Sequence, residues 1–206
     1  MFATHSVTYV TNNLLYCLQE IIKKSGLDPS KIADDWTNLE RGLSTWITTR
    51  DLETVTLEVF NPRTDALVGR WDFSIAYGWT DGSGAFWIDT DQIRYAIQKQ
   101  GLWPSTCDYR VVVHTKAGRP DVSGWSSTTY RSTAGFVRQS IGTTVDASGL
   151  GAGATYYAST LRRLEATQDT LAYLRAAAAA VVKSKGSNRA DLDDLRAALE
   201  RPPCRS

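Results

Sequence analysis

Lys116–Tyr157, KAGRPDVSGWSSTTYRSTAGFVRQSIGTTVDASGLGAGATYY, decides how this chain is read. Glycines at 118, 124, 135, 142, 149, 151 and 153 break any helical period. Between them stand Trp125, Tyr130, Phe136, Val137, Ile141, Val145, Tyr156 and Tyr157, more apolar surface than a solvated linker carries. A structureless loop of this length is rare inside a compact domain, so the segment is either functional or made of short strands lying on a core. It reads as a wrapping segment, both packed and able to move.

The elements before it are more regular. Tyr109–His114 (YRVVVH) is a strand that feeds the wrap. Leu52–Phe60 (LETVTLEVF) alternates, Asn61-Pro62-Arg63-Thr64-Asp65 turns, and Ala66–Tyr77 returns, the signature of a β-hairpin. Val55, Leu57 and Val59 fall on one face and Thr54, Thr56 and Glu58 on the other, which predicts one buried and one wet face. Gly82-Ser83-Gly84 reads as a loop, and Asp89 or Thr90 caps a helix over Asp91–Gln100 that Gly101 stops. Upstream, Leu14, Leu15, Leu18, Ile21 and Ile22 recur at helical spacing in Asn13–Lys24, with Asn12 or Asn13 as cap. A second helical stretch after Pro29 presents Ile32, Trp36, Leu39, Leu43, Trp46 and Ile47. His5–Val10, rich in β-branched residues, reads as a short strand. The order predicts an α+β fold, helices layered on an antiparallel sheet.

Composition changes near residue 160. Residues 1–160 carry 14 Lys and Arg against 16 Asp and Glu, whereas 161–206 carry 9 against 6. Leu161–Val182 is alanine-rich with a stripe of Leu161, Leu164, Leu171 and Leu174, and Ala190–Glu200 makes a last short helix before Pro202-Pro203. The reading is a domain over 1–160, with a wrap over about 117–160, and a helical tail over 161–206.

The chemistry-bearing residues point away from catalysis. No phosphate-binding glycine loop, metal-ligand spacing or nucleophile elbow is present, and no cofactor or metal is expected. Asp34-Asp35 face different directions, while Asp89, Asp91 and the acidic group at 191–194 sit where helices begin. A net charge of +1 gives no general reason to expect nucleic acid. Neither a secretory signal nor an apolar run long enough for a membrane helix is seen, so a cytoplasmic protein without membrane contact is expected. Cys17, Cys107 and Cys204 are odd in number and far apart, which fits incidental thiols in a reducing compartment. Among seven tryptophans, Trp36, Trp46 and Trp71 fall on core faces. Trp79, Trp87 and Trp125 lie in or beside loops and are the better recognition candidates, with anchoring of the wrap to the core as the equal alternative. A small hydrolase built on His114, Asp121 and Ser123 is the competing enzymatic reading, disfavoured because a mobile segment holds catalytic groups poorly.

With these elements in place, the sequence resembles bacterial HORMA-domain proteins. The resemblance is carried by THSVTYVTNN at 4–13, SGLDPSKIADDW at 25–36, VGRWDFSIAYGWTDGSGAFWIDTDQIRYAI at 68–97, and TKAGRPDVSGWSSTTYRSTAGFVRQSIGTTVDASGLGAG at 115–153. It implies a HORMA-like fold whose C-terminal segment is a safety belt, moving between open and closed states. In the closed state the belt holds a short extended closure-motif peptide against the sheet edge. The resemblance also implies a non-enzymatic role in CBASS antiphage signalling. The closed protein would bind and activate a cGAS/DncV-like nucleotidyltransferase, and an AAA+ remodelling ATPase would reset it through its amino-terminal segment. An adaptor of the same type with a different client is the alternative. On this reading Trp125, Tyr130, Phe136, Val137 and Ile141 are the peptide-binding belt residues, and Thr4, His5, Ser6 and Val7 are the remodeller-engaged ones. The tail departs from the family pattern: it could supply a closure motif, dock on a partner, or be an inert extension. Deleting residues 117–160 is expected to leave a folded core unable to retain peptide.

Overall fold

The computed structural model describes residues 4–78, 86–147 and 149–159. Within them run the helices α1 (Thr4–Lys24), α2 (Ser30–Asp34), α3 (Trp36–Thr48) and α4 (Thr90–Gln100). The strands are β1 (Leu52–Phe60), β2 (Leu67–Tyr77), β3 (Phe86–Ile88), β4 (Asp108–Thr115), β5 (Phe136–Ala147) and β6 (Leu150–Ser159). The strands form one sheet in the order β3-β5-β6-β2-β1-β4, every neighbouring pair antiparallel. This is the α+β layering expected from the order of elements. The predicted tail helices, Trp79, Gly82-Ser83-Gly84 and Cys204 lie outside the described residues.

The α1 helix is the spine of the core. Val10, Leu14, Leu15, Leu18, Ile21 and Ile22 on it are fully buried, together with Leu43, Trp46 and Ile47 of α3 and Val55, Leu57 and Val59 of β1. The strand expected over His5–Val10 is instead the first two turns of α1. Val7 and Val10 extend the stripe of Leu14, Leu18 and Ile21 at intervals of three and four, and burying that face outweighs the slight helical disadvantage of β-branched residues. Asn13 is accordingly no cap. Its side-chain amide donates to the Tyr9 carbonyl one turn back, at 2.8 Å.

The hairpin and α4 form as read. Asn61 accepts from the Arg63 N–H at 2.9 Å, closing the turn between β1 and β2. Asp89 caps α4 by accepting from the Gln92 N–H at 2.9 Å. The second helical stretch is divided: α2 ends at Asp34, and the Asp35 carbonyl accepts from Asn38 and Leu39 to start α3 afresh.

The other face of the hairpin is not wet. Thr56 and Glu58 are as fully buried as the apolar residues they alternate with, because a later part of the chain crosses over them. The wrap also ends in more regular structure than its glycines promise. The 12-residue β5 and 10-residue β6 are long strands, and β6 joins the edge of β2. The ladder between them tolerates its irregularities through bulges; one lies at Gly142, whose φ of 83° suits glycine.

Candidate functional site

One edge of the sheet stands open. β4 pairs with β1 on one side only, so its outer edge carries unpaired main-chain groups among the described strands. Residues 116–135 pass around this edge from the helical face to the opposite face, where they lead into β5. A cavity of about 410 Å³ lies between the edge and the wrap, and its lining joins two helices, the edge strand and the wrap. Ile32, Asn38 and Leu39 come from α2 and α3, Tyr109–Val112 from β4, and Trp125 and Thr128 from the wrap.

On the helical face the wrap is anchored by aromatic packing. Trp125 lies edge-on to Trp46, ring centroids 5.0 Å apart, and its indole N–H donates to the Asn38 carbonyl at 3.3 Å. Gly42 makes room for it: a Cβ there would stand 2.3 Å from Trp125 Nε1. The Trp46 indole donates to the Pro120 carbonyl at 2.8 Å, and the Arg119 guanidinium covers the Trp46 ring at 4.5 Å. Arg41 fixes the Ser123 carbonyl at 2.7 Å.

On the opposite face the anchor is ionic. Buried Glu58 accepts from Arg110 Nε at 2.8 Å, from the Arg131 main-chain N–H at 2.8 Å and from its guanidinium at 2.9 Å. Arg110 reaches on to Thr128 Oγ1 at 3.0 Å and the Thr129 carbonyl at 2.6 Å. Beside this network Asp72 accepts from Thr56 at 2.8 Å and from Arg70 at 2.7 and 3.0 Å, and Arg70 lies 4.2 Å from the Tyr130 ring. Burial pushes the Tyr130 phenol up, so it stays neutral at physiological pH.

At the start of β4, Asp108 is bridged by Lys31 at 2.8 Å. Burial works against its charge, but the Lys31 ammonium and the Tyr109 N–H outweigh it and hold the carboxyl below its usual value. This bridge is therefore complete at neutral pH and is lost as acid protonates Asp108.

Of the belt residues picked from sequence, Trp125 lines the cavity at the β4 edge. Tyr130 and Phe136 line a second hollow of about 570 Å³ on the other face, beside Arg110, Arg131 and Asp65. Val137 and Ile141 belong to β5, four places along the sheet from β4, and do not line the edge cavity. Thr4, His5, Ser6 and Val7 open α1; Ser6 and Val7 are buried and the other two exposed. His114 bonds to Glu53 at 2.7 Å, whereas Asp121 is 3.9 Å from Arg119, so the three residues of the hydrolase reading are not joined by hydrogen bonds. Burial pushes the Cys17 thiol up to about 12, leaving it inert. Trp87 is exposed in β3, on the side of the sheet away from β4. Sequence reasoning missed Lys31, Gly42, Glu58, Arg110 and Arg131, whose partners are remote along the chain.

An edge strand encircled by a C-terminal segment is the geometry the resemblance called for, and the bacterial HORMA domain 2 family matches residues 1–160. The chain belongs to the bacterial HORMA family. Solved structures agree on the fold at low identity. A chain of a mitotic checkpoint complex superimposes with a TM-score of 0.62 at 11% identity, over 78% of this HORMA protein and 98% of that chain. A chain of the E. coli MS115-1 CdnC:HORMA-deltaN complex does so at 0.55 and 12% identity, over 77% and 90%. No curated protein sequence matches this one. No helix among the described residues is long and apolar enough to cross a membrane.

Proposed function

We propose that this HORMA protein is a non-enzymatic, cytoplasmic adaptor that traps an extended closure-motif peptide between β4 and the belt. In that closed form it binds and activates a cGAS/DncV-like nucleotidyltransferase of a CBASS antiphage system. The observation that carries the reading is the unpaired outer edge of β4 enclosed by residues 116–135. A peptide laid along β4 gains main-chain hydrogen bonds largely independent of its sequence, and side chains facing Ile32, Leu39 and Trp125 give preference. Release then requires the belt to come off α3 and Glu58, which makes dissociation slow. The CdnC of the E. coli complex is what supports a nucleotidyltransferase as client.

The deciding experiment mixes the purified chain with a cGAS/DncV-like nucleotidyltransferase and a closure-motif peptide. Complex formation and raised cyclic-nucleotide synthesis are expected. If the chain retains the peptide but the enzyme neither binds nor responds, the adaptor serves a different client.

Resetting by an AAA+ ATPase that grips the amino terminus has a mechanical rationale. Drawing α1 out from Thr4 removes the helix against which β5 and β6 pack, so the belt hairpin loses its seat. Because Ser6, Val7 and Val10 are buried, a ten-residue truncation would damage the core as well as the handle. Removing residues 1–5 should leave peptide retention intact and stop ATPase-driven release. Release continuing at the wild-type rate would place the grip elsewhere.

A further inference from the structure

The first outward-facing residue of β4 is already occupied. In an antiparallel pair, alternate residues turn both main-chain groups toward the neighbouring strand, and those between turn theirs away. Tyr109 turns away from β1. Its N–H donates to the Asp108 carboxylate at 2.7 Å, and its carbonyl accepts from the Lys31 ammonium at 2.9 Å. Val111 and Val113 share its phase, and the register shift opposite Thr115 ends the regular alternation beyond them. Lys31 also donates to both Asp108 oxygens, at 2.8 and 3.0 Å, so its three donors are spent. The two side chains thus provide beside Tyr109 the donor and the acceptor that a facing strand residue would bring.

We propose that Lys31 and Asp108 are a register stop: they stand in for one residue of an added strand, so a bound peptide pairs with Val111 and Val113 and ends short of Tyr109. The inference rests on reading this edge as a site of strand addition. A one-residue slip of the peptide turns every side chain to the wrong face, but a two-residue slip keeps the faces and is resisted only by the fit of individual side chains. The stop supplies what the pleat cannot. A peptide sliding toward Tyr109 gains two main-chain bonds but displaces two that already exist, so extension in that direction brings no affinity. The ion pair is half-exposed and contributes little by itself; the exchange of hydrogen bonds sets the limit.

The test compares the full-length protein with the double variant Lys31→Met/Asp108→Ala in two measurements. In the free protein the Tyr109 amide should exchange with solvent at least tenfold more slowly than those of Val111 and Val113, and in the double variant it should match them. For the second, a peptide selected on the full-length protein from a random-sequence display library is used, with single N–H groups replaced by ester oxygens. Two positions, two residues apart, should each weaken binding to the wild type about fivefold. With the peptide lengthened by two residues, the double variant should show a third. A third sensitive position in the wild type, or Tyr109 exchanging as fast as Val111 in the free protein, overturns the stop alone. Selection that yields no retained peptide overturns the strand-addition reading and the stop with it.

Discussion

Glu58→Ala should cost about 3 kcal/mol of stability and free the belt before it frees anything else. The Glu58 side chain is fully buried and accepts three hydrogen bonds, two from Arg131 and one from Arg110. Removing one partner of a buried ion pair costs roughly 3–5 kcal/mol, because the remaining charge stays in a poorly solvated place. The lower end applies here. Arg110 keeps its bonds to Thr128 and Thr129, and Arg131 keeps Asp65 at 3.0 Å. Since Arg131 is the belt's own residue, the loss concentrates on residues 128–135, whereas β1 and β2 remain paired. Glu58→Gln retains an acceptor for the Arg131 N–H but turns its amide NH2 toward the two guanidinium donors, so it should lose about 2 kcal/mol. Urea denaturation gives the cost, and hydrogen exchange along the chain gives its location. Protection in 128–135 equal to that of the wild type would show that Glu58 does not clasp the belt.

How legible such a clasp is from sequence depends on how far apart its partners lie. The β1–β2 hairpin and α4 can be read directly, because Leu52–Phe60 alternates locally and Asp89 sits beside the helix it caps. Glu58 alternates in the same strand and reads as solvent-facing. What buries it is Arg131, 73 residues later. Lys31 and Asp108 are 77 residues apart and give no local signal at all. The start of α1 is legible in principle, since Val7 and Val10 continue the helical stripe, but over so short a span the β-branched composition points to a strand. The wrap announced itself through glycines among aromatics, yet not its division into an anchored crossing and a strand hairpin. That division changes what deleting it would do. Val145, Ala147, Leu150, Ala152 and Ala154 are buried to within 1% exposure, and Tyr156 stacks on Trp71 at 5.3 Å. Removing residues 117–160 uncovers the core instead of leaving it folded, so the belt is better probed by single residues that hold its crossing.

Gly42 is the sharpest such probe, because the sign of its effect should depend on Trp125. In the wild type, Gly42→Ala puts a methyl 2.3 Å from Trp125 Nε1 and within 2.9 Å of two ring carbons. The ring cannot easily retreat: it is wedged edge-on against Trp46 and tied to the Asn38 carbonyl. Overpacking of this kind costs roughly 1–3 kcal/mol, and eviction of the indole about as much, so a loss of about 2 kcal/mol is expected with faster peptide dissociation. With Trp125→Ala already in place the clash is gone. There Gly42→Ala adds a good helix former to the interior of α3 and should stabilise by up to about 1 kcal/mol. The coupling between the two sites is then about 3 kcal/mol, at the upper end of what residues in contact display. A double-mutant cycle measured by denaturation reads it directly. The same stabilisation by Gly42→Ala in both backgrounds would mean that Trp125 does not rest on Gly42 in solution, and that the belt leaves α3 uncovered in its resting state.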